Sequence, residues 1–340
     1  MVRLTLIAAL VGWSQAAAST RIDLGPATSV AGEGASVDGE VVTIGQGGTY
    51  ELRGELIGTL VVTAPDELVT LILDGVSIHN PVGPAILVTA AAGVTVELAA
   101  GSFNRISDGG TSEYDAALYS DSPLTIDGQG ELEVRSVYEG ISSTSHITFL
   151  GGAVRVVAVE DGLNANEDGV SRIEVRGGFV YAHGMTGDGI DSNGTIHITG
   201  GTVVALTSLG TMDTGLDADL GIYIEGGVVA ATGASILLPL RTPGQQRALI
   251  IDFTTIQDAA SLVAVTDLEG ELLLAFAPPD RYTRVILSSP DIVAGGRFRV
   301  YYQAEGVGED LGGFYSEVAE LGRLAGEARA GQILRIRSAR

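Results

Sequence analysis

The sequence predicts an all-β protein, a parallel β-helix (solenoid) closed at its C-terminal end by a β-strand subdomain. Three observations carry this. Short strands of alternating polarity recur with the same punctuation from Leu124 onward. The 48 glycines fall where those strands need corners. No stretch between them shows a helical period.

In chain order, residues 1–18 come first. "MVRLTLIAALVGWSQAAAST" sets Arg3 before an apolar run from Leu4 to Trp13, then the small residues Ala16, Ala17 and Ala18. That is the order of a secretory signal peptide, and the apolar run is too short to span a bilayer. Residues 1–18 are therefore expected to be removed, leaving a mature start near Ala18 or Thr20 and a secreted, extracellular or cell-surface protein. Removal takes one cation from a chain with 19 basic and 42 acidic residues, so the formal charge moves from -23 to -24. It also takes Trp13, the single tryptophan.

The acidic balance argues against nucleic acid as a partner, because phosphates require a basic patch. No later segment is apolar and long enough for membrane insertion. There is no cysteine, so neither a disulfide framework nor a thiolate metal site is available. None of the basic residues is lysine.

The second element, residues 40–235, contains the repeat. Five copies succeed one another at intervals of about 22 to 27 residues: "LTIDGQGELEVRSVYEGISST", "ITFLGGAVRVVAVEDGLNANEDG", "IEVRGGFVYAHGMTGDGIDSNG", "IHITGGTVVALTSLGTMDTGLDADL" and "IYIEGGVVAATG". Each has an alternating strand, a glycine corner, a second alternating strand and a short Gly-Ile or Gly-Leu segment. Period two places Ile147 and Phe149, Ile173 and Val175, Ile196 and Ile198, and Ile222 and Ile224 in one inward column. One such unit cannot bury its apolar face, but copies stacked about 4.8 Å apart close a continuous core. A β-sandwich is the competing all-β arrangement; its hairpins need antiparallel pairing and less regular copies. The third element, residues 236–340, keeps a strand pattern but loses the repeat, and is expected to cap the open edge of the last turn.

Aligning the copies exposes two outward surfaces. On the Gly-Ile segment, Glu139, Asp161, Asp188 and Thr214 stack in one column, Ser142, Asn164, Asp191 and Asp217 in the next, and Thr144, Asn166, Asn193 and Asp219 beyond it. "GDGIDSNG" (187–194) is thus one rung of an oxygen-rich ladder. Carboxylates one strand apart repel by about 3 kcal/mol at an effective dielectric near 20. Calcium, which takes six to eight oxygens at irregular geometry, suits Asp161, Asn164, Asp188, Asp191, Asn193, Asp217 and Asp219 as ligands. Four scattered histidines give no comparable case for zinc. The plainer alternative is a set of solvated Asp-Gly turns.

On the second strand, Arg135, Arg155, Phe179, Tyr181 and His183 fall on one sheet face. Aromatic rings stack on sugars, and guanidinium groups grip carboxylates bidentately, so this face is a candidate glycan site. The alternative is a shelf covered by a loop or by the C-terminal subdomain.

A resemblance becomes specific in "LILDGVSIHNPVGPAILV", "VTVELAAGSFNRISDG", "AALYSDSPLTIDGQGELEV", the Asp-Gly-Ile copies and "AFAPPDRYTRVILSSPDIVAGGRFRVYY". This series, roughly Thr49 to Tyr315, resembles the secreted bacterial carbohydrate-binding β-helix proteins, which are related in shape to pectate lyases. The resemblance implies a right-handed parallel β-helix that binds calcium and plant-type polysaccharides, including acid sugars such as polygalacturonate, and cellulose. Where that family commonly shows Ser-Lys after Gly-Ile, this chain has "GISSTSH", so any role of that lysine is absent. A polysaccharide lyase would need an arginine base, and no motif singles one out among Arg135, Arg155, Arg172 and Arg176. The expectation is a non-catalytic, calcium-assisted polysaccharide-binding protein, with a pectate-lyase-like enzyme or a structural, adhesive surface protein as the alternatives.

Overall fold

A computed structural model describes residues 19–110, 112–210, 212–234 and 240–336. The expected signal peptide, residues 1–18, lies outside them. Among the described residues there is no helix; stacked parallel strands form a β-solenoid of about 8 turns.

Three parallel sheets run the length of the solenoid. The first continues through Leu124–Gly128, His146–Phe149, Arg172–Val175, Thr195–Ile198 and Gly221–Ile224. Its register stacks Ile147, Ile173, Ile196 and Ile222, and two residues on Phe149, Val175, Ile198 and Ile224, all fully buried. The second sheet contains Phe103–Asp108, Glu131–Ser136, Ala153–Ala158, Phe179–Gly184, Thr202–Thr207 and Val228–Thr232. The third contains Ala116–Ser120, Glu139–Ser143, Leu163–Ala165, Ile190–Ser192 and Leu216–Ala218. Alternate residues of each strand meet in one apolar column between the sheets, which is how a unit without a core of its own becomes stable.

The corner between the first and second sheets depends on backbone freedom. Gly152, Gly178, Gly201 and Gly227 occupy successive copies of it with φ of 76, 76, 74 and 76°, a region that costs an L-residue with a side chain. The sequence pattern "GG" at each copy follows from this. A different reason applies at the start of the ladder segment: a Cβ on Gly189 would lie 2.5 Å from the Leu206 nitrogen and 2.6 Å from the Gly215 carbonyl oxygen. Only glycine lets the turns stack this closely there.

Solenoid pairing reaches back to Thr20–Leu24, which pairs in parallel with Tyr50–Gly54. At the other end, Tyr282–Val293 pairs antiparallel with Val229–Thr232 and with Gln246–Asp252, so the exposed edge of the second sheet is extended and then covered. A five-stranded sheet, containing Leu262–Thr266, Leu272–Phe276, Arg297–Leu311, Phe314–Glu320 and Arg323–Arg329, completes the C-terminal subdomain. Its apolar residues, among them Phe276, Phe298 and Val300, share a core with Tyr181, Val204, Leu206 and Ala230 on the outer face of the second sheet. The subdomain therefore lies over the last turns of that sheet.

Candidate functional site

The ladder is the outer face of the third sheet. Register aligns Tyr119, Ser142, Asn164, Asp191 and Asp217 side by side. The preceding column follows from the backbone ladder, in which the amides of Gly140, Gly162 and Gly189 donate to the carbonyls of Asp161, Asp188 and Thr214. Glu139, Asp161 and Asp188 thus stand one strand apart, as the repeat predicts.

Asp188, Asp191 and Asp217 converge: each offers a carboxylate oxygen, and these oxygens lie within 4.8 Å of one another. Oxygens that close together are near enough for one calcium ion to draw all three into its shell of contacts at about 2.3 to 2.6 Å with small side-chain adjustments. Burial shapes the electrostatics. It pushes Asp188 up to about 8, against the opposing Thr214 amide hydrogen bond and with Asp161 and Asp217 adding to the rise. Asp191 is pushed up to about 7 by burial and then by Asp161, Asp217 and Asp219. Asp161 rises to about 6, chiefly through burial, and Asp217 rises for the same reason. No arginine forms an ion pair with a ladder carboxylate among the described residues.

The neighbouring turns carry a second signature. Glu139 Oε2, Ser142 Oγ and Asn164 Oδ1 are buried and have no hydrogen-bond partner. Glu139 and Asn164 are 7% and 8% exposed, and Ser142 is fully buried. The Asn164 amide nitrogen donates to Glu139 Oε1 and more weakly, at 3.4 Å, to Asp161 Oδ2. Ser142 lies close enough to Glu139 to oppose the rise in its pKa, although no hydrogen bond of good geometry joins their oxygens. Burial, followed by the Asp115 charge, pushes Glu139 up to about 8. Buried oxygens left without partners cost about 1 to 3 kcal/mol each unless something satisfies them. Oxygen-only donors, no thiol and no histidine in the group fit a hard cation, calcium rather than zinc.

The predicted ligands do not all meet. Asp188, Asp191 and Asp217 come together. Asp161 gives one oxygen to the Asp188 amide at 2.7 Å. Asn164 sits at the Glu139 end. Asn193 is turned away, its amide nitrogen donating to the Asn166 carbonyl at 3.1 Å and to Asp168 at 2.8 Å. Asp219 is exposed at the rim. Glu139 and Ser142 stand in the predicted columns, but their missing partners become visible only in the packed structure.

The second outward surface is divided. Arg135, Arg155, Phe179, Tyr181 and His183 do share one face of the second sheet, in the register Glu133–Arg155–Tyr181 and Arg135–Val157–His183. The expectation that all five are open to a glycan is corrected: Tyr181 and His183 are 5% and 8% exposed. The C-terminal subdomain covers them. Gly312 lies against the rings of Phe179 and Tyr181, and His183 Nε2 is 3.0 Å from Asp280 Oδ2 and 3.2 Å from Ser208 Oγ. Burial lowers the His183 pKa, with Asp280 opposing. Arg135 and Arg155 remain exposed, and Phe179 is half-buried. Sequence reasoning missed Phe103, Arg105 and Leu311, which flank these residues; aligning "FNRISD" as one further turn would have found the first two.

The fold and the ladder define a β-solenoid with outward columns of oxygen-bearing side chains. The chain belongs to the family of carbohydrate-binding domain-containing proteins, whose model matches residues 38–246, more than half of its length. A relative from Acetivibrio thermocellus, also described as a carbohydrate-binding domain-containing protein, is 31% identical over 137 residues, which is 37% of this chain and 48% of the relative. The chain thus spans about half the length of that relative. The solenoid is also similar to the solved polysaccharide lyase-like protein from C. thermocellum, a gadolinium derivative, with a TM-score of 0.51 and 24% identity over 66% of this chain and 98% of that one. At that identity the likeness concerns the fold.

Proposed function

We propose that this is a non-catalytic polysaccharide-binding protein of the cell exterior, which engages acidic cell-wall-type glycans such as polygalacturonate, and possesses a calcium-binding ladder for the purpose; cellulose-type glucans are the second candidate class. The observation that carries the reading is the ladder itself: three carboxylates within mutual reach of one cation, next to buried oxygens that lack partners. Asp188, Asp191 and Asp217 would hold the ion, with Asn164 and Ser142 next in the same column. Calcium bound there would cancel the repulsion among the carboxylates and attract a uronate carboxylate to a protein of charge -23.

Binding without cleavage is favoured by the basic residues. A lyase base must sit within hydrogen-bond reach of the sugar proton beside the calcium-bound carboxylate. The chain has no lysine, and its ladder carboxylates pair with no arginine among the described residues. Export rests on the charge, apolar core and small-residue exit of residues 1–18.

The test is a glycan array on the mature protein, with calcium and with a chelator, beside calorimetry of calcium uptake. Polygalacturonate captured with calcium and weakened by chelation supports the reading. No calcium uptake at millimolar concentration and low salt returns the ladder to a set of acidic turns. Unsaturated uronide absorbance above a boiled control makes the protein a lyase.

A further inference from the structure

The open part of the second sheet carries features that the ladder does not explain. One outward column runs Phe103, Glu131, Ala153, Phe179. Glu131 stands beside Phe103, and at Ala153 the column drops to a methyl group, leaving a slot between Glu131 and the Phe179 ring, with Glu131 and Glu133 as the carboxylates of its lining. Leu311, from the C-terminal subdomain, forms a wall of the same groove, which encloses about 290 Å³. Phe103 and Leu311 are 44% and 56% exposed. A second hollow of about 300 Å³ adjoins it between Arg105, Glu133 and Arg135.

The charges are arranged unevenly. Arg105 and Arg135 share one carboxylate, Glu133, at 3.7 and 2.5 Å. Arg155, one strand on from Glu133, has no carboxylate within ion-pair distance among the described residues; its guanidinium lies over the Tyr181 ring, 4.0 Å from the centroid. Asp310, on the neighbouring hairpin, directs an oxygen to the Gly313 amide instead. A guanidinium seated on a buried ring and interacting with its hydroxyl is fixed in place, and with five N–H donors it keeps others for a carboxylate.

We infer that the groove between Phe103, Arg155, Phe179 and Leu311 is a second glycan site, independent of calcium, which takes an acidic sugar with its carboxylate on Arg155 and its apolar face against Phe179 and Leu311, the Phe103 ring being covered on one face by Arg105. This rests on the carbohydrate-binding reading above and adds to it that the C-terminal subdomain is part of a binding site, since Leu311 lies outside the family-matched residues 38–246. Two sites on different sheets let one molecule hold two stretches of polysaccharide. Tyr181 is a positioning residue.

The experiment is calorimetry of the mature protein with oligogalacturonate at low ionic strength in excess chelator, repeated with methyl-esterified oligogalacturonate. The wild type is expected to bind the free acid in chelator and the ester at least tenfold more weakly. Arg155→Gln should lose at least tenfold for the free acid and Leu311→Ser several-fold. Urea unfolding of Arg155→Gln checks that its fold is intact, and Tyr181→Phe, which keeps the ring, should bind as wild type. Binding that disappears entirely in chelator but returns with calcium overturns this site and leaves the ladder reading standing. Equal affinity for acid and ester, or an unaffected Arg155→Gln, overturns the carboxylate assignment. Self-association that is abolished by Arg155→Gln, with no glycan bound in chelator, overturns the site in favour of a contact between copies. Absence of glycan binding with or without calcium overturns both readings together.

Discussion

The outer faces of the second and third sheets come from the same repeat, and their contrast is informative. Both present polar columns at the strand spacing, and in both the register follows the aligned copies residue for residue. The third sheet gathers carboxylates that no cationic side chain pairs with among the described residues. The second mixes arginines with aromatics, answers its charges in part with Glu133, and loses its last turns beneath the C-terminal subdomain. A repeat determines which way a side chain points; it does not determine whether solvent, another element or an ion meets it there.

The sharpest way to break this contrast is to place a charge on an outward position that the subdomain covers. Leu206 is outward on the second sheet yet 2% exposed. Leu206→Asp should cost about 3 kcal/mol or more, as for a charge buried in the core. Ser107, in the same column away from the subdomain, is half-buried with its hydroxyl 2.9 Å from His79 Nδ1, and should accept aspartate at a cost of about 1 kcal/mol or less. Urea unfolding of both variants measures this, and equal costs would remove the division of the face.

The C-terminal strands also contain a buried ion pair. Arg284 meets Asp252 at 2.6 and 3.0 Å, with the two side chains 5% and 10% exposed. Asp252→Ala removes the carboxylate from a buried guanidinium and should cost about 3 kcal/mol. If the subdomain then loosens, Tyr181 and His183 should gain hydrogen exchange before the ladder does.

Calcium should act on the third sheet. A ligand bound only to the folded state stabilises by RT ln(1 + [L]/Kd), about 2.7 kcal/mol at a hundredfold excess over Kd. Thermal melts with calcium and with chelator should differ accordingly. Asp188→Asn with Asp191→Asn should erase the difference while leaving the calcium-free protein as stable as wild type or more so, because two buried acids whose ionisation is disfavoured are replaced by neutral amides.

The smallest effect is on pH, because the carboxylates titrate together and stay partly solvated. Burial raises Asp188 to about 8 and Asp191 to about 7 in the calcium-free fold, above the unfolded value near 4. The stabilisation from their protonated forms is therefore complete below about pH 4 and is lost as pH rises through 7 and 8. Calcium, which requires deprotonated ligands, should release protons on binding near neutrality, and its affinity should fall as pH falls. Calorimetry in buffers of different ionisation enthalpy measures the protons released; none at pH 7 would contradict the buried cluster.

The sequence by itself determined the strand period, the stacking of copies and the direction of each outward residue. These are local properties: alternation sorts side chains into faces, and the glycine corners appear in the chain as pairs. It therefore also made legible the ladder columns and the shared face of Arg135, Arg155 and Phe179. What only the tertiary structure decided depends on residues far apart in the chain. Asp188, Asp191 and Asp217 converge through stacking of two turns, whereas Asn193, equally oxygen-rich in sequence, turns to Asn166 and Asp168 because those are the groups its corner brings near. Tyr181 and His183 are buried by a subdomain more than fifty residues further along, and the same subdomain supplies Leu311 to the groove beside Arg155. No period in the sequence encodes such a contact, because it arises from packing two independently formed surfaces whose apolar areas leave water together.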